Sequence, residues 1–253
     1  MKFYTKLQDW LAGPFSQKMQ KFMQNPYMHA LQVCFTIILP MIMVGSLASL
    51  VNTFRNFAPW LPDLSLINSF SFGLISIFMA FLIPYTIMES KKLQKQKIIT
   101  GFASVSALIA LANPQYVDGN LVINSGYVGT GGMTVAMVMG LVIGWLFSAY
   151  FKHGLFKKDS SLPSVVVVWF ESILIIFVLI LVCIIIGQNV DLLSLLEKVF
   201  SPLAAIGNTY LGFLLFYMIM ALCYCCGLSA WTVWPIVCAL YLTNIYPFGV
   251  TGS

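Results

Sequence analysis

Val165-Val-Val-Val-Trp-Phe-Glu-Ser-Ile-Leu-Ile-Ile-Phe-Val-Leu-Ile-Leu-Val-Cys-Ile-Ile-Ile-Gly187 carries one charge, Glu171, in an otherwise apolar run. A helix needs about 20 mainly apolar residues to cross the hydrocarbon core of a bilayer. This run meets that length, and residues 30–51, 69–88, 131–151 and 203–225 do so as well. Residues 98–112 form a shorter apolar run, and 231–248 form a seventh stretch. Turn chemistry separates them: Pro59 to Pro62, Asn113-Pro114, Asp118-Gly119, and Ser160 to Pro163.

Composition supports the same reading. The 253 residues are 60% hydrophobic and 8% charged, with a mean hydropathy of +0.91. A soluble domain carries roughly 25% charged residues. Lys198 is the last charged side chain, so Val199 to Ser253 hold no formal charge. No water-soluble fold covers its surface that way. The expected fold class is an all-α polytopic membrane protein of about six to seven transmembrane helices. A soluble enzyme, a nucleic-acid binder, a secreted disulfide scaffold and a disordered tail are excluded.

The net charge of +5 hints at a nucleic-acid partner only until its distribution is considered. With the N-terminus inside, Lys2, Lys6, Lys18, Lys21, Lys91, Lys92, Lys95, Lys97, Lys152, Lys157 and Lys158 fall on the inner side. Arg55 and Lys198 stay outside. Basic residues accumulate in cytoplasmic loops, so the N-terminus is expected in the cytoplasm. Residues 1–24 mix lysines with apolar positions and read as an amphipathic leader on the membrane surface. Outside, Gln115 to Val128 places Asp118-Gly119 between β-prone runs, which predicts a small hairpin. Val190 to Phe200 mixes leucines and charges at helical spacing, as an interfacial helix does. Gly140 and Gly144 in the fourth run have a small-residue spacing compatible with close helix contact.

Chemistry-bearing residues are few. His29 begins the first span and His153 sits among lysines, so both read as polar anchors or loop residues, and neither has a metalloprotease context. Gly126, Gly129, Gly131 and Gly132 lack the Lys and Ser/Thr of a phosphate loop. Cysteines 34, 183, 223, 225, 226 and 238 all lie in apolar runs and read as packing residues; no metal and no cofactor is expected. Glu171 is the one intramembrane acid, and anchoring and a functional role are equally weighted for it. No catalytic residue is assigned.

Cys226-Gly-Leu-Ser-Ala-Trp-Thr-Val-Trp-Pro235 joins two apolar runs without a charge. Gly227 and Pro235 weaken a helix there, and such breaks at membrane depth line transporter sites. Trp231 can stack on a sugar face, while Ser229, Thr232 and Asn244 offer hydrogen bonds to hydroxyls. Gly227, Ser229, Trp231, Thr232 and Asn244 are therefore the candidate substrate-binding residues. The bland alternative is a tight turn with interfacial tryptophans.

Five segments in order carry a family resemblance. They are Asn25-Pro-Tyr-Met-His-Ala30 with Phe35, Pro40 and Val44-Gly-Ser46; Lys97-Ile-Ile-Thr-Gly-Phe-Ala103; Tyr127-Val-Gly-Thr-Gly-Gly132; Ser161-Leu-Pro-Ser-Val165 with Phe170; and Cys226-Gly-Leu-Ser-Ala230. Together they resemble the enzyme IIC membrane subunit of the bacterial phosphoenolpyruvate-dependent sugar phosphotransferase system, of the lactose/cellobiose/diacetylchitobiose type. The resemblance implies a five-helix dimerisation domain over 25–188, a connecting interfacial helix over 189–202, and the start of a sugar-transport domain over 203–253. It implies a homodimer that carries a β-linked disaccharide and hands it to a cytoplasmic IIB partner, itself served by IIA, for phosphorylation. IIC itself carries no phosphoryl group.

Two departures stand out. Ser229 occupies the position of the family's sugar-site histidine, and a serine hydrogen-bonds a hydroxyl but presents no charge. The likeness also covers only the family's first half, and the acid that positions the phosphorylated hydroxyl would fall beyond Ser253. A truncated or degenerate, non-transporting scaffold or regulatory relative is the alternative expectation.

Overall fold

The computed structural model describes residues 11–15, 17–18, 21, 24–153, 164–196, 198–199 and 209–225. Two compact units emerge, one formed by Cys34–Leu196 and one by Met1–Val33 with Glu197–Ser253. In the second, the described elements are a π-helical turn at Leu11–Phe15, the first turns of α1, and α8 (Tyr210–Cys225). Most of the 1–24 leader lies outside the described residues.

Asn25 and Pro26 start α1 (Pro26–Arg55) by local chemistry. The Asn25 side chain accepts the Tyr27 N–H at 3.1 Å, and Pro26 takes the first helical position, where its missing N–H costs nothing. Thirty residues extend about 45 Å at 1.5 Å per residue, well beyond a hydrocarbon core of about 30 Å. The helix therefore continues past the span expected over 30–51. At its far end Arg55 pairs with Asp63 at 3.1 Å. Asp63 accepts the Ser65 N–H at 2.9 Å, and Asn52 accepts the Leu64 N–H at 2.9 Å. These bonds tie the loop down where α2 (Ser65–Ser71) begins.

A 3-10 turn at Phe72–Leu74 joins α2 to α3 (Ile75–Ser90). The span expected over 69–88 is thus longer and interrupted. The interruption suits close packing: a Cβ on Gly45 of α1 would overlap the Phe72 ring and come within 2.7 Å of Ser71 Oγ. After α3 the chain turns sharply. Leu93 N–H bonds Met88 O at 2.9 Å, Lys92 N–H bonds Glu89 O at 3.0 Å, and Lys92 takes φ 62°. That is a Schellman ending with a lysine in the place usually held by glycine. Lys97 Nζ then clamps Glu89 at 2.7 Å across the same turn.

α4 (Lys97–Leu111) is 15 residues long, or about 22 Å, too short to cross alone. Thr100, Gly101, Ala103, Ser104, Ala107, Leu108, Ala110 and Leu111 are buried, so it is an interior helix, packed on α3, α6 and α7. Its shortness in the sequence reflects that position.

β1 (Gln115–Val117) and β2 (Asn120–Val122) pair antiparallel with Val117 opposite Asn120. The two-residue loop has φ 50° at Asp118 and 79° at Gly119, the type I′ geometry that Asp-Gly favours. The predicted hairpin is present. α5 (Ser125–Val128) and a 3-10 turn at Thr130–Gly132 lead into α6 (Met133–His153), and α7 covers Ser164–Asn189.

The core of the Cys34–Leu196 unit is the packing of α3 on α6, with α4 and α7 beside them. Gly140 and Gly144 of α6 make the closest approach: a Cβ on Gly140 would stand 2.9 Å from Ile83 Cβ, and one on Gly144 would stand 2.5 Å from Ile87 Cδ1. The spacing noted in the sequence is thus used within one chain. Phe35, Phe147, Ile83, Ile87, Met88 and Ile143 are fully enclosed. Long stretches of the other faces are apolar and exposed, among them Leu47, Leu50 and Phe54 on α1 and Ile173, Leu174, Phe177 and Val178 on α7. A soluble protein rarely exposes such faces, and a bilayer accommodates them. Among the described residues, four helical stretches are long and apolar enough to cross: Pro26–Arg55, Ser65–Ser90, Thr130–Lys152 and Trp169–Asn189. The protein is a helical membrane protein.

Candidate functional site

Gly227, Ser229, Trp231, Thr232 and Asn244 lie outside the described residues. Among the polar residues singled out elsewhere, His29 is exposed in the first turn of α1. Among the described residues, no three His, Cys, Asp or Glu side chains gather as a metal-ligand set.

Glu171 is 7% exposed and its neighbour Ser172 is 3% exposed, both on α7. Tyr150 of α6 donates its hydroxyl to the Glu171 carbonyl at 3.2 Å. That bond joins α6 to the main chain of α7 beside a buried acid, a residue type rare in membrane spans.

The glycine-rich segment before α6 is a packed turn. A Cβ on Gly132 would overlap the carbonyl oxygen and carbon of Tyr127, and Ser76 of α3 donates its hydroxyl to the Gly129 carbonyl. Glycine here permits the chain to double back against its own backbone.

That turn presents Tyr127, which organises the junction after α7. Its hydroxyl donates to Asp191 Oδ1 at 2.6 Å and accepts the Leu193 N–H at 3.2 Å. Asp191 is the N-cap of the helix that covers residues 192–196: its Oδ1 accepts the Leu193 N–H at 3.2 Å, its Oδ2 accepts the Ser194 hydroxyl at 2.6 Å, and its carbonyl accepts Leu195 N–H at 3.0 Å. A short polar side chain satisfying the first-turn donors is the usual device for starting a helix. The Ser194 hydroxyl, followed by Tyr127, lowers the Asp191 pKa. Burial, reinforced by the Asp191 hydrogen bond, pushes the Tyr127 pKa up from 10.0 to about 12.

The signs follow. Asp191 stabilises the junction above its ordinary value of 3.8, and the contribution is lost as pH falls through its lowered folded value. Tyr127 stabilises it below 10.0, and the contribution is lost as pH rises toward about 12. Tyr127→Phe removes one donor from Asp191 and one acceptor from Leu193, at a cost of about 1–3 kcal/mol. The expected result is a lower melting temperature in detergent at pH 7, with the loss between pH 10 and 12 reduced relative to the parent protein. An unchanged melt at pH 7 would sink this account of the junction.

A cleft of about 310 Å³ opens beside the junction. Leu111, Ala112 and Gly187 form its apolar side where α7 meets the end of α4; a Cβ on Gly187 would stand 2.9 Å from the Leu111 carbonyl oxygen. Val122 and Gln115 come from the hairpin, Asn113 and Asn124 from its two ends, and Tyr127 and Asp191 from the junction. Asn113 holds φ 47°, a left-handed conformation that asparagine tolerates better than most residues. Asn124 Oδ1 accepts Gly126 N–H at 3.0 Å and so caps α5. The sequence reading missed this grouping. Its signals were Asp191 followed by Ser194, a capping pattern, and Asn113 at the end of the short apolar run.

Exposed apolar faces, an interior short helix and a capped hairpin end define a helical membrane protein. Residues 33–247 match the family described as phosphotransferase system, EIIC. The chain belongs to that family. No curated protein and no solved structure matches it.

Proposed function

We propose that the protein is the sugar-translocating subunit of a phosphotransferase system for a β-linked disaccharide, working as a homodimer in the bacterial cytoplasmic membrane with cytoplasmic IIB and IIA partners. The observation that carries this reading is the family match, which runs to residue 247 and so includes the uncharged segment from Gly227 to Asn244. The helical membrane architecture supports it. On this reading, residues 25–188 form the dimerising part, 189–202 the connector, and 203–253 belong to the transport part.

In this proposal Trp231 stacks on the pyranose face, Ser229, Thr232 and Asn244 hydrogen-bond its hydroxyls, and Gly227 is placed there for its low helix propensity. Ser229 supplies hydrogen bonding without charge, so the sugar is held by neutral contacts. The subunit orients and moves the sugar while the partner supplies the phosphoryl group.

The test is the uptake of radiolabelled cellobiose and lactose by cells that lack their own carriers and express this chain with IIA and IIB components. Uptake dependent on all three is expected, and Ser229→Ala should lower it by about fivefold, one neutral hydrogen bond being worth about 1 kcal/mol. Cells that take up neither sugar would overturn the disaccharide reading; a protein that folds, dimerises and never transports would instead favour the scaffold alternative.

A further inference from the structure

We propose that the cleft between the hairpin, the end of α4 and the Tyr127–Asp191 junction is a second binding site for a neutral, polyhydroxylated ligand of saccharide chemistry. It is separate from residues 227–244 and rests on the sugar-transport reading above.

Size comes first. At about 310 Å³, the cleft lies at the lower end of the roughly 300–1,000 Å³ that small-molecule sites occupy. Charge comes next. No Lys or Arg lines it, which disfavours phosphates and other anions. Its one carboxylate, Asp191, already accepts from Tyr127, Leu193 and Ser194, which leaves it poorly placed to gather a bare cation. With Oδ1 doubly occupied and Oδ2 singly occupied, it retains room for one further donor.

The remaining polar groups are uncharged and uncommitted. Neither Asn113 nor Gln115 makes a side-chain hydrogen bond to the described residues, and the Asn124 amide nitrogen is unused while its oxygen caps α5. Each primary amide offers two donors, and those of Asn113 and Gln115 add acceptors. Leu111 and Val122 add apolar surface to the same lining. A ring with one apolar face and a rim of hydroxyls matches such a lining; a hydrocarbon or an ion does not. The cleft is already shaped without a ligand, since the type I′ turn, the α5 cap and the junction fix its walls, and a preformed site binds with less ordering cost.

The experiment uses the full chain in detergent and cellobiose carrying a photoactivatable diazirine, with cross-linked peptides mapped by mass spectrometry. The proposal expects labelling within residues 111–127 that excess unlabelled cellobiose displaces. It also expects at least about a fivefold drop in that labelling in the Asn113→Gly/Gln115→Ala double variant, two neutral hydrogen bonds being removed. Asn113→Gly keeps the left-handed backbone that a bulkier residue would strain, and Gln115 is exposed, so the variant's melt should match the parent's. Displaceable labelling confined to residues 226–244 would overturn this proposal and leave the transport reading standing. Labelling of 111–127 that cellobiose does not displace, or that survives the double variant unchanged, would also overturn it. No displaceable labelling anywhere would overturn both.

Discussion

Gly132→Ala is expected to leave little folded protein. The added Cβ would overlap the backbone carbonyl of Tyr127, and a backbone carbonyl cannot rotate away as a side chain can. Relief requires moving α5, which carries the Tyr127 ring and with it the hydrogen bonds that cap the helix after α7. Overpacking of a tight site typically costs about 1–3 kcal/mol and occasionally more; this substitution belongs at or above the top of that range. The check is the yield of monodisperse protein on size exclusion and the thermal melt in detergent. Gly73→Ala serves as the control, because its Cβ would meet only Ser69 Cβ at 3.9 Å. A Gly132→Ala protein that melts with the control would overturn the packed-turn description.

The second large effect is expected at the α3–α6 contact. Gly140→Ala brings Cβ to 2.9 Å from Ile83 Cβ, next to the helix backbone, while Gly144→Ala meets first the flexible end of Ile87 at 2.5 Å. Gly140→Ala should therefore destabilise more, by about 1–3 kcal/mol, and bulkier residues at either position should separate the helices. A double-mutant cycle pairing Gly144→Ala with Ile87→Ala provides the check: shortening Ile87 opens room for the new methyl, so the pair should be coupled by at least about 0.5 kcal/mol. Strict additivity would argue against the contact. Were the two glycines instead an interface between copies, the oligomeric mass would change while the melt of the single chain did not.

The two effects share a cause. Within the Cys34–Leu196 unit, several glycines stand at close approaches: Gly45 at Phe72, Gly132 at Tyr127, Gly140 and Gly144 at α3, and Gly187 at the end of α4. Lipid offers helices no hydrophobic reward for associating with one another, so close van der Waals packing has to supply the attraction.

Much of this was legible in the residues. Apolar run length alone predicted crossing helices, because the bilayer fixes how many residues a span needs. Asp118-Gly119 predicted the hairpin, because few dipeptides adopt positive φ twice. The likeness to an enzyme IIC subunit read from five short segments agrees with the family match over residues 33–247, which does not distinguish the sugar type.

Other features were not legible, for reasons that are physical rather than statistical. Hydropathy counts residues without regard to which neighbour covers them, so it could not say that α4 is short because protein encloses it. The run over 69–88 gave no sign of its 3-10 break, since Phe72, Gly73 and Leu74 are as apolar as their surroundings and only the fit against Gly45 distinguishes them. Glu171 was divided between anchoring and function because an acid's role depends on what stands opposite, and Tyr150 lies 21 residues away.

The sequence by itself determined the solvent of this protein, its helical class, its hairpin and its family, because chain length, charge and local dihedral preference are properties of neighbouring residues. The tertiary structure alone decided that the α6 glycines serve a contact within one chain, that Glu171 is enclosed, and that Tyr127 reaches Asp191 across 64 residues of sequence at 2.6 Å. Those facts, and the cleft they frame, depend on which distant surfaces meet, and no local preference encodes a meeting.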